Sequence, residues 1–559
     1  MRHTLCGLMA SALLVGSAAA GPLTIQIDTK RIAMITENRR NPGEIGPLAL
    51  GDVNGDGYDD LIMGAPRASS FTTVESGGVY VRFAGDFLFN SQVGTDDGGL
   101  YYDMTTPPDI STNRISTAVV VEDVFGRVPS GVQFIPERGG EAFGSAVASG
   151  DFDGDGFMDL AISAPAPFGS RIGAVYLAYG RADIGGIREI DLEIFDGFAF
   201  EISGREAGAR FGEALLMADV DNDGYDDIII GTPRHSSGGI VDVVYGTPGR
   251  GLSRTTIDAL PTAHTRIVTD TTEEYFGAAL AAGKINGDSF LELVIGAPRW
   301  PNASASRGRA VALNLAGTRP ATIDLAVASP YFVVQEIGNQ AGLGASLAIG
   351  DIDGDTIPDL AVGAPLKNSG AGGTNVGVVY ILSDPASSAG TVLSCPGDHR
   401  TSIVGINNSE FFGSTLAMVR YDKVVGEELI VAAPGSNNVQ ENATEAGAVY
   451  VYRTGTVPPG DLFSEDLSIP WTKLTTTKAG FRLGTHIAAG QFDRQNELDL
   501  FISGDGDQPF RPYCGSDDQS DYLQCHATRE GLRVFGVLAR SVDQPDAGLA
   551  AKPGWMMLE

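Results

Sequence analysis

The stretch FGSAVASGDFDGDGFMDLAISAP at residues 143–165, followed by GAVYLAYG at 173–180, decides how the whole chain is read. It recurs. Residues 211–233 read FGEALLMADVDNDGYDDIIIGTP, 276–298 FGAALAAGKINGDSFLELVIGAP, and 343–365 LGASLAIGDIDGDTIPDLAVGAP. Equivalent loop positions fall at Asp52, Asp151, Asp219, Lys284, Asp351, Arg420 and Gln491, with gaps of 99, 68, 65, 67, 69 and 71 residues. A period that steady is one supersecondary unit repeated.

Each unit carries short runs of Val, Ile, Leu, Tyr and Ala punctuated by Gly, Pro and Asp, which read as strands. Three strands per unit are clear, and runs such as IREIDLEIF at 187–195 offer a fourth. No segment carries a sustained helical stripe. Four-stranded sheets repeated radially make a β-propeller, which protects most strand edges; solenoid repeats are usually much shorter. The fold expected is all-β, a seven-bladed β-propeller. A ring of small cores also suits a chain of 559 residues, too long for one hydrophobic core.

These residues carry a family resemblance. Phe-Gly stands at 143–144, 211–212, 276–277 and 412–413, with Leu-Gly at 343–344 and 483–484. Gly-Ala-Pro stands at 64–66, 296–298 and 363–365, softened to SAP at 163–165, GTP at 231–233 and AAP at 432–434. The chain resembles the FG-GAP repeat proteins, the group that includes the integrin α-subunit head, over residues 46–540. The first repeat reads Ile45-Gly46 in place of Phe-Gly, and the seventh Ser503-Gly504 in place of GAP. Both departures fall where a ring would close. The resemblance implies a freestanding propeller, since no further sandwich domains, membrane span or tail follow GLRVFGVLAR at 531–540.

Residues 1–20 read as a secretory signal peptide: Arg2 and His3, an apolar stretch through Val15, then small residues to Ala20. Residues 21–45 form an N-terminal segment with a strand-like run at 22–36, expected to close the ring beside 531–538. Residues 541–559 form a C-terminal tail. No other segment is long and apolar enough to span a membrane, so the protein is expected to be secreted, or periplasmic in a bacterium. Cys395, Cys514 and Cys525 remain after the signal, and the last two flank a short polar loop able to hold a disulfide.

Lys plus Arg total 38 against 70 Asp plus Glu, a net charge of −32. That balance argues against nucleic acid or anionic membrane as the main partner. Much of it sits in four loops. They carry Asp52, Asn54, Asp56, Tyr58 and Asp60; Asp151, Asp153, Asp155, Phe157 and Asp159; Asp219, Asp221, Asp223, Tyr225 and Asp227; and Asp351, Asp353, Asp355, Ile357 and Asp359. Oxygen ligands at loop positions 1, 3 and 5, a backbone carbonyl at 7 and a carboxylate at 9 wrap one hard cation. Asp-Gly clusters also make plain solvated turns, but four loops in register with a repeat favour metal. The cofactor expected is Ca2+, about four ions, structural. Loops four, six and seven have decayed, through Lys284, Arg420 with Val424, and the loss of all but Asp493 and Asp499; they are expected to be metal-free, with Lys284 a built-in counter-ion.

No H-E-x-x-H, G-x-S-x-G or locally supported Cys-His pairing occurs, and His486 reads as a packed residue. After the Gly-Ala-Pro turns, on the face opposite the loops, the chain turns basic: Arg67, Arg234, Arg299 with Trp300 beside it, and Lys367. These residues either grip an anion or pack their stems over a neighbouring blade. An insertion near 85–138, with Tyr101 and Tyr102, reads as a binding flap or an outer hairpin. The function expected is an exported adhesion or ligand-recognition module for an extracellular protein or glycan. The alternative is a secreted propeller enzyme acting on polysaccharide, for example a lyase.

Overall fold

The computed structural model describes most of residues 46–504, with the strands Leu23–Ile27 and Val534–Leu538. Outside the described residues lie 1–22, 28–45, 67–76, 85–130, 421–425, 453–459, 465–470, 492–498, 505–533, 539–559 and several shorter stretches. The signal-peptide reading, Arg67, Cys514, Cys525, the tail and most of the insertion fall there.

The described strands form six five-stranded sheets and one three-stranded sheet. The third sheet shows the plan. Ala214–Ala218, Asp227–Thr232, Ile240–Val244 and His264–Val268 pair antiparallel in chain order, and Thr322–Asp324 adds a parallel outer edge. The second strand of each complete blade is buried along its length, as in Asp227–Thr232 and Glu292–Ala297. Sheets packed on both faces need such continuous apolar runs. The innermost strands, such as Leu48–Gly51 and Ala279–Gly283, are partly exposed along the ring axis. Six apolar cores fill the gaps between consecutive sheets.

The repeated Phe-Gly and Gly-Ala-Pro have a steric reason. Phe143, Phe276 and Phe412 are fully buried, and the glycines after them take positive φ (88° at Gly144, 87° at Gly277). A Cβ on Gly64 of the first GAP would lie 2.1 Å from the Gly144 carbonyl oxygen, so one repeat's FG turn seats on the preceding GAP backbone.

Three expectations are corrected. The first concerns the fourth strand. Glu189–Asp191, within the run proposed for that role, is the parallel outer edge of the first sheet, paired with Gly131–Ile135. The second blade's fourth strand is Ala199–Ala207. In general the segment between a repeat's third and fourth strands crosses back to edge the preceding blade. Gly131–Ile135, inside the supposed insertion, is itself the first blade's fourth strand.

The second correction concerns the number of blades. Six blades are complete, not seven; the seventh repeat contributes Leu483–Gly490, Asp499–Gly504 and Val534–Leu538 as a three-stranded sheet. Its departures from the repeat weaken the pattern that builds a full blade elsewhere.

The third concerns the N-terminal strand. Leu23–Ile27 pairs parallel with Trp471–Thr476 of the sixth blade, not with residues 531–538. It takes the outer-edge place that the next repeat's crossing segment fills in the other blades.

Candidate metal centres

The Asp-rich loops join first strands to second strands and share one hydrogen-bonded shape. In the first loop Asp52 Oδ1 accepts the N–H groups of Gly55 (2.7 Å) and Asp56 (2.9 Å), and Oδ2 accepts that of Gly57 (2.7 Å). Asp151 and Asp219 do the same for positions 5 and 6 at 2.9–3.1 Å. Asp351 holds the N–H groups of Gly354, Asp355 and Thr356. The position-5 carboxylate accepts the N–H of position 7 in all four, from Tyr58, Phe157, Tyr225 and Ile357. Positions 4 and 6 have positive φ throughout, at Gly55 and Gly57, Gly154 and Gly156, Asn222 and Gly224, and Gly354 and Thr356. Hence the glycines.

Position 9 opens the second strand and is buried at Asp60, Asp159, Asp227 and Asp359. One carboxylate oxygen accepts the N–H of position 2, from Val53, Phe152, Val220 and Ile352 at 3.0–3.1 Å. In the first three loops the other oxygen accepts an N–H beyond the third strand, from Ala84, Gly180 and Gly246, each at 2.9 Å. This carboxylate therefore ties the loop to the blade as well as facing the site.

Three oxygen sets converge, each with its atoms within 4.8 Å of one another: Asp151, Asp153 and Asp159; Asp219, Asp221 and Asp227; Asp351, Asp353 and Asp355. The first loop has an amide, Asn54, at position 3, and brings no such trio of carboxylates together. Burial, then repulsion from neighbouring loop carboxylates, pushes Asp60 and Asp227 up to about 8 and Asp159 up to about 7. Asp221 Oδ1 is buried and accepts no hydrogen bond. Crowded, partly desolvated oxygens of this kind fit a hard cation, which would neutralise charge that the fold cannot.

The decayed fourth loop keeps part of the scaffold. Ile285 N–H donates to Glu292 Oε2 at 3.0 Å, and the amides of Asn286 and Asn314 both donate to Glu292 Oε1 at 2.7 Å. Lys284 is exposed and, among the described residues, makes no ion pair. Amide donors, rather than its ammonium, meet the carboxylate. In the sixth loop Asp422 and Val424 lie outside the described residues, as does Asp493 in the seventh.

Neighbouring loops interlock. At three junctions position 8 donates its N–H to the position-1 carbonyl of the preceding loop, Met158 to Asp52 (2.9 Å), Asp226 to Asp151 (3.0 Å) and Glu427 to Asp351 (2.7 Å), while Pro358 at position 8 of the fifth loop has no N–H to give. The same bond joins the seventh loop to the first, Asp59 N–H to Gln491 O at 2.7 Å, and Asp59 Oδ2 accepts the Gln491 N–H in return. Ser503 Oγ donates to Gly46 O at 3.1 Å beside this seam, with His486 Nδ1 at 3.3 Å from that hydroxyl. Burial lowers His486 to about 4.

On the opposite face, Arg299 and Arg234 converge on one ring, their guanidinium carbons 4.1 Å and 5.4 Å from the Tyr275 centroid. Lys367 Nζ instead donates to the buried Glu336 at 2.7 Å, and Trp300 lies under Arg309. Cys395 is buried.

Sequence reasoning missed several charged groups. Buried Glu336 and Glu410 each accept the hydroxyl of a third-strand tyrosine, Tyr380 and Tyr450, at 3.0 Å. Asp242 stands in the third strand where other repeats have Tyr176, Tyr380 or Tyr450, and it pairs with Arg266 at 2.7 Å. Arg319 reaches Asp221 and Asp223 from the next repeat. The Asp-for-Tyr exchange was visible in the aligned repeats; the reach of Arg319 was not.

The FG-GAP repeat pattern matches residues 48–81, 143–177, 211–255, 276–313 and 343–382. Integrin alpha-PS2 of Drosophila melanogaster is 31% identical over 239 residues, 40% of this chain and 15% of the relative. Integrin alpha-V of Gallus gallus is 32% identical over 206 residues, 33% of this chain and 19% of the relative. The phosphatidylinositol-glycan-specific phospholipase D of Bos taurus is 25% identical over 476 residues, 81% of this chain and 51% of the relative. The chain thus spans about half the length of the phospholipase, and less than a fifth of either integrin.

Proposed function

We propose that this FG-GAP repeat protein, with its integrin-α-like propeller, is an exported recognition module held in shape by calcium. The observation that carries the calcium reading is the convergence of three loop-carboxylate sets on a shared hydrogen-bonded scaffold. On this reading positions 1, 3 and 5 of the four complete loops supply oxygen ligands, with position 9 closing the cage. The ion supplies charge neutralisation and rigidity, not reaction chemistry. The three-stranded sheet is read as the seventh blade, because the loop-to-loop hydrogen bonds at its seam repeat those between complete blades. The likeness to integrin α chains supports an extracellular protein or glycan as partner, bound by loops on a rigid ring.

Calcium titration of the intact protein should give four ions per chain. At about ten times the dissociation constant each adds about 1.4 kcal/mol, so chelation should remove about 5–6 kcal/mol and lower Tm clearly. Zero ions would end the calcium reading. For recognition, a panel of extracellular proteins and glycans should yield a ligand whose binding weakens at least tenfold in Arg234→Glu/Arg299→Glu with Tm nearly unchanged. A fall in Tm with affinity per folded molecule intact would return both arginines to packing on Tyr275.

A second reading rests on the match to the phosphatidylinositol-glycan-specific phospholipase D of Bos taurus, over 81% of this chain. On it the propeller binds or acts on a glycosylated phosphatidylinositol. Incubation with a protein carrying such an anchor, scored for binding and for release, tests it; neither would discard it.

A further inference from the structure

The third loop has a cation brought to it by the chain itself. Arg319 lies 98 residues from Asp221 and 96 from Asp223, in the segment after the fourth repeat's third strand. Its Nε meets Asp221 Oδ2 and its Nη2 meets Asp223 Oδ2, the carboxylates of loop positions 3 and 5. Three further contacts fix it there. Gly317 N–H donates to the Asp221 carbonyl at 3.0 Å. Thr318 Oγ1 donates to Leu315 O at 3.0 Å, tightening the turn that carries Arg319. The guanidinium carbon stacks 4.7 Å from the centroid of the buried Tyr245 ring.

We propose that Arg319 is an internal competitor of calcium at the third loop: its guanidinium holds two ligand carboxylates in the metal-free protein and must withdraw when the ion binds. This rests on the calcium reading above. The chemistry supports exchange rather than permanent closure. Arg319 engages only the Oδ2 atoms, while Asp221 Oδ1 stays buried without a hydrogen bond, and Asp219, Asp221 and Asp227 still bring oxygens within 4.8 Å of one another. The Asp221 side chain is 3% exposed, that of Arg319 36%, so the guanidinium has solvent to withdraw into and the carboxylate does not. A guanidinium with one charge replaces an ion with two, and it fills neither Asp221 Oδ1 nor the centre of the cage. The loop is therefore ordered without calcium and binds it more weakly than it would without the arginine.

The test uses the full chain as wild type, Arg319→Gln, Asp219→Ala and the double variant, by calorimetric calcium titration and by melting in chelator and in saturating calcium. One site in Arg319→Gln should bind calcium at least tenfold more tightly than in wild type, and Asp219→Ala should delete that site in both backgrounds. Arg319→Gln should melt lower than wild type in chelator, and the deficit should vanish in saturating calcium. An unchanged titration, or a deficit of equal size in both media, would overturn the proposal and make Arg319 an ordinary salt bridge. Wild type binding no calcium at any loop would instead sink the calcium reading, a result distinct from both.

Discussion

The second and fourth loops begin from the same repeat and end with different competence. In the second, Asp151, Asp153 and Asp159 bring oxygens together, and Asp159 accepts the N–H groups of Phe152 and Gly180. In the fourth, position 1 is the exposed Lys284 and no comparable carboxylate trio is found among the described residues, yet Glu292 still accepts the N–H of Ile285. One methylene longer than aspartate, Glu292 takes its second donors from the amides of Asn286 and Asn314. Position 9 thus serves the blade even where positions 1 and 3 lack carboxylates, and in the second loop it also stands among the converging oxygens.

The sharpest way to break this division is Asp159→Ala against Asp155→Ala. The first leaves two buried backbone donors without an acceptor, each costing about 1–3 kcal/mol, less what is regained from removing a desolvated carboxyl. A net loss of about 2–4 kcal/mol is expected, with or without calcium. Among its contacts, Asp155 accepts the exposed N–H of Phe157. Its loss should cost about 1.4 kcal/mol in calcium and little in chelator, with one ion fewer by titration. If both variants lose stability only in calcium, position 9 is a ligand and nothing more.

Lys284→Asp sharpens the comparison from the other side. It would give the fourth loop Asp, Asn286, Asp288 and Glu292 at positions 1, 3, 5 and 9, close to the pattern of the first loop. One additional calcium ion per chain is expected, and a gain of about 1.4 kcal/mol at ten times its dissociation constant. No added ion would show that the loop has lost more than its first ligand.

The smallest effect belongs to the seam. Burial lowers His486 from 6.5 to about 4, so between those values the unfolded chain takes up a proton that the folded chain refuses. Stability should therefore fall as pH drops through that window. Because the side chain is only half-buried by its solvent exposure, the loss is discounted to about 1 kcal/mol. His486→Gln should flatten that part of the pH profile measured by urea unfolding; an unchanged slope would assign it to carboxylates elsewhere.

Sequence periodicity exposed whatever a repeat does within itself. The loops, the buried second strands and the Phe-Gly turns all follow from residues close together in the chain. It was silent on what a repeat does for its neighbour. Glu189–Asp191 looks like any short strand, and nothing local says that it crosses to Gly131–Ile135. Arg319 is separated from its carboxylates by more than a full repeat. Leu23–Ile27 was recognisable as a strand, but its partner Trp471–Thr476 was chosen by a geometry shared between blades.

The loop-to-loop hydrogen bonds, from Met158 to Asp52 and onward to Asp59 and Gln491 across the seam, have a mechanical consequence. The first and second loops are each both a guest of one neighbour and a host to the next, whereas the fifth has Pro358 at position 8 and no N–H to donate. A linear stack of repeats has terminal units that can fray while the middle persists. A run of couplings that crosses the seam puts the first loop between two partners, so a disturbance there meets resistance from two sides. Protection of the position-8 amides from hydrogen exchange should then fade together along that run, making Asp59 and Asp226 reporters of the same opening event.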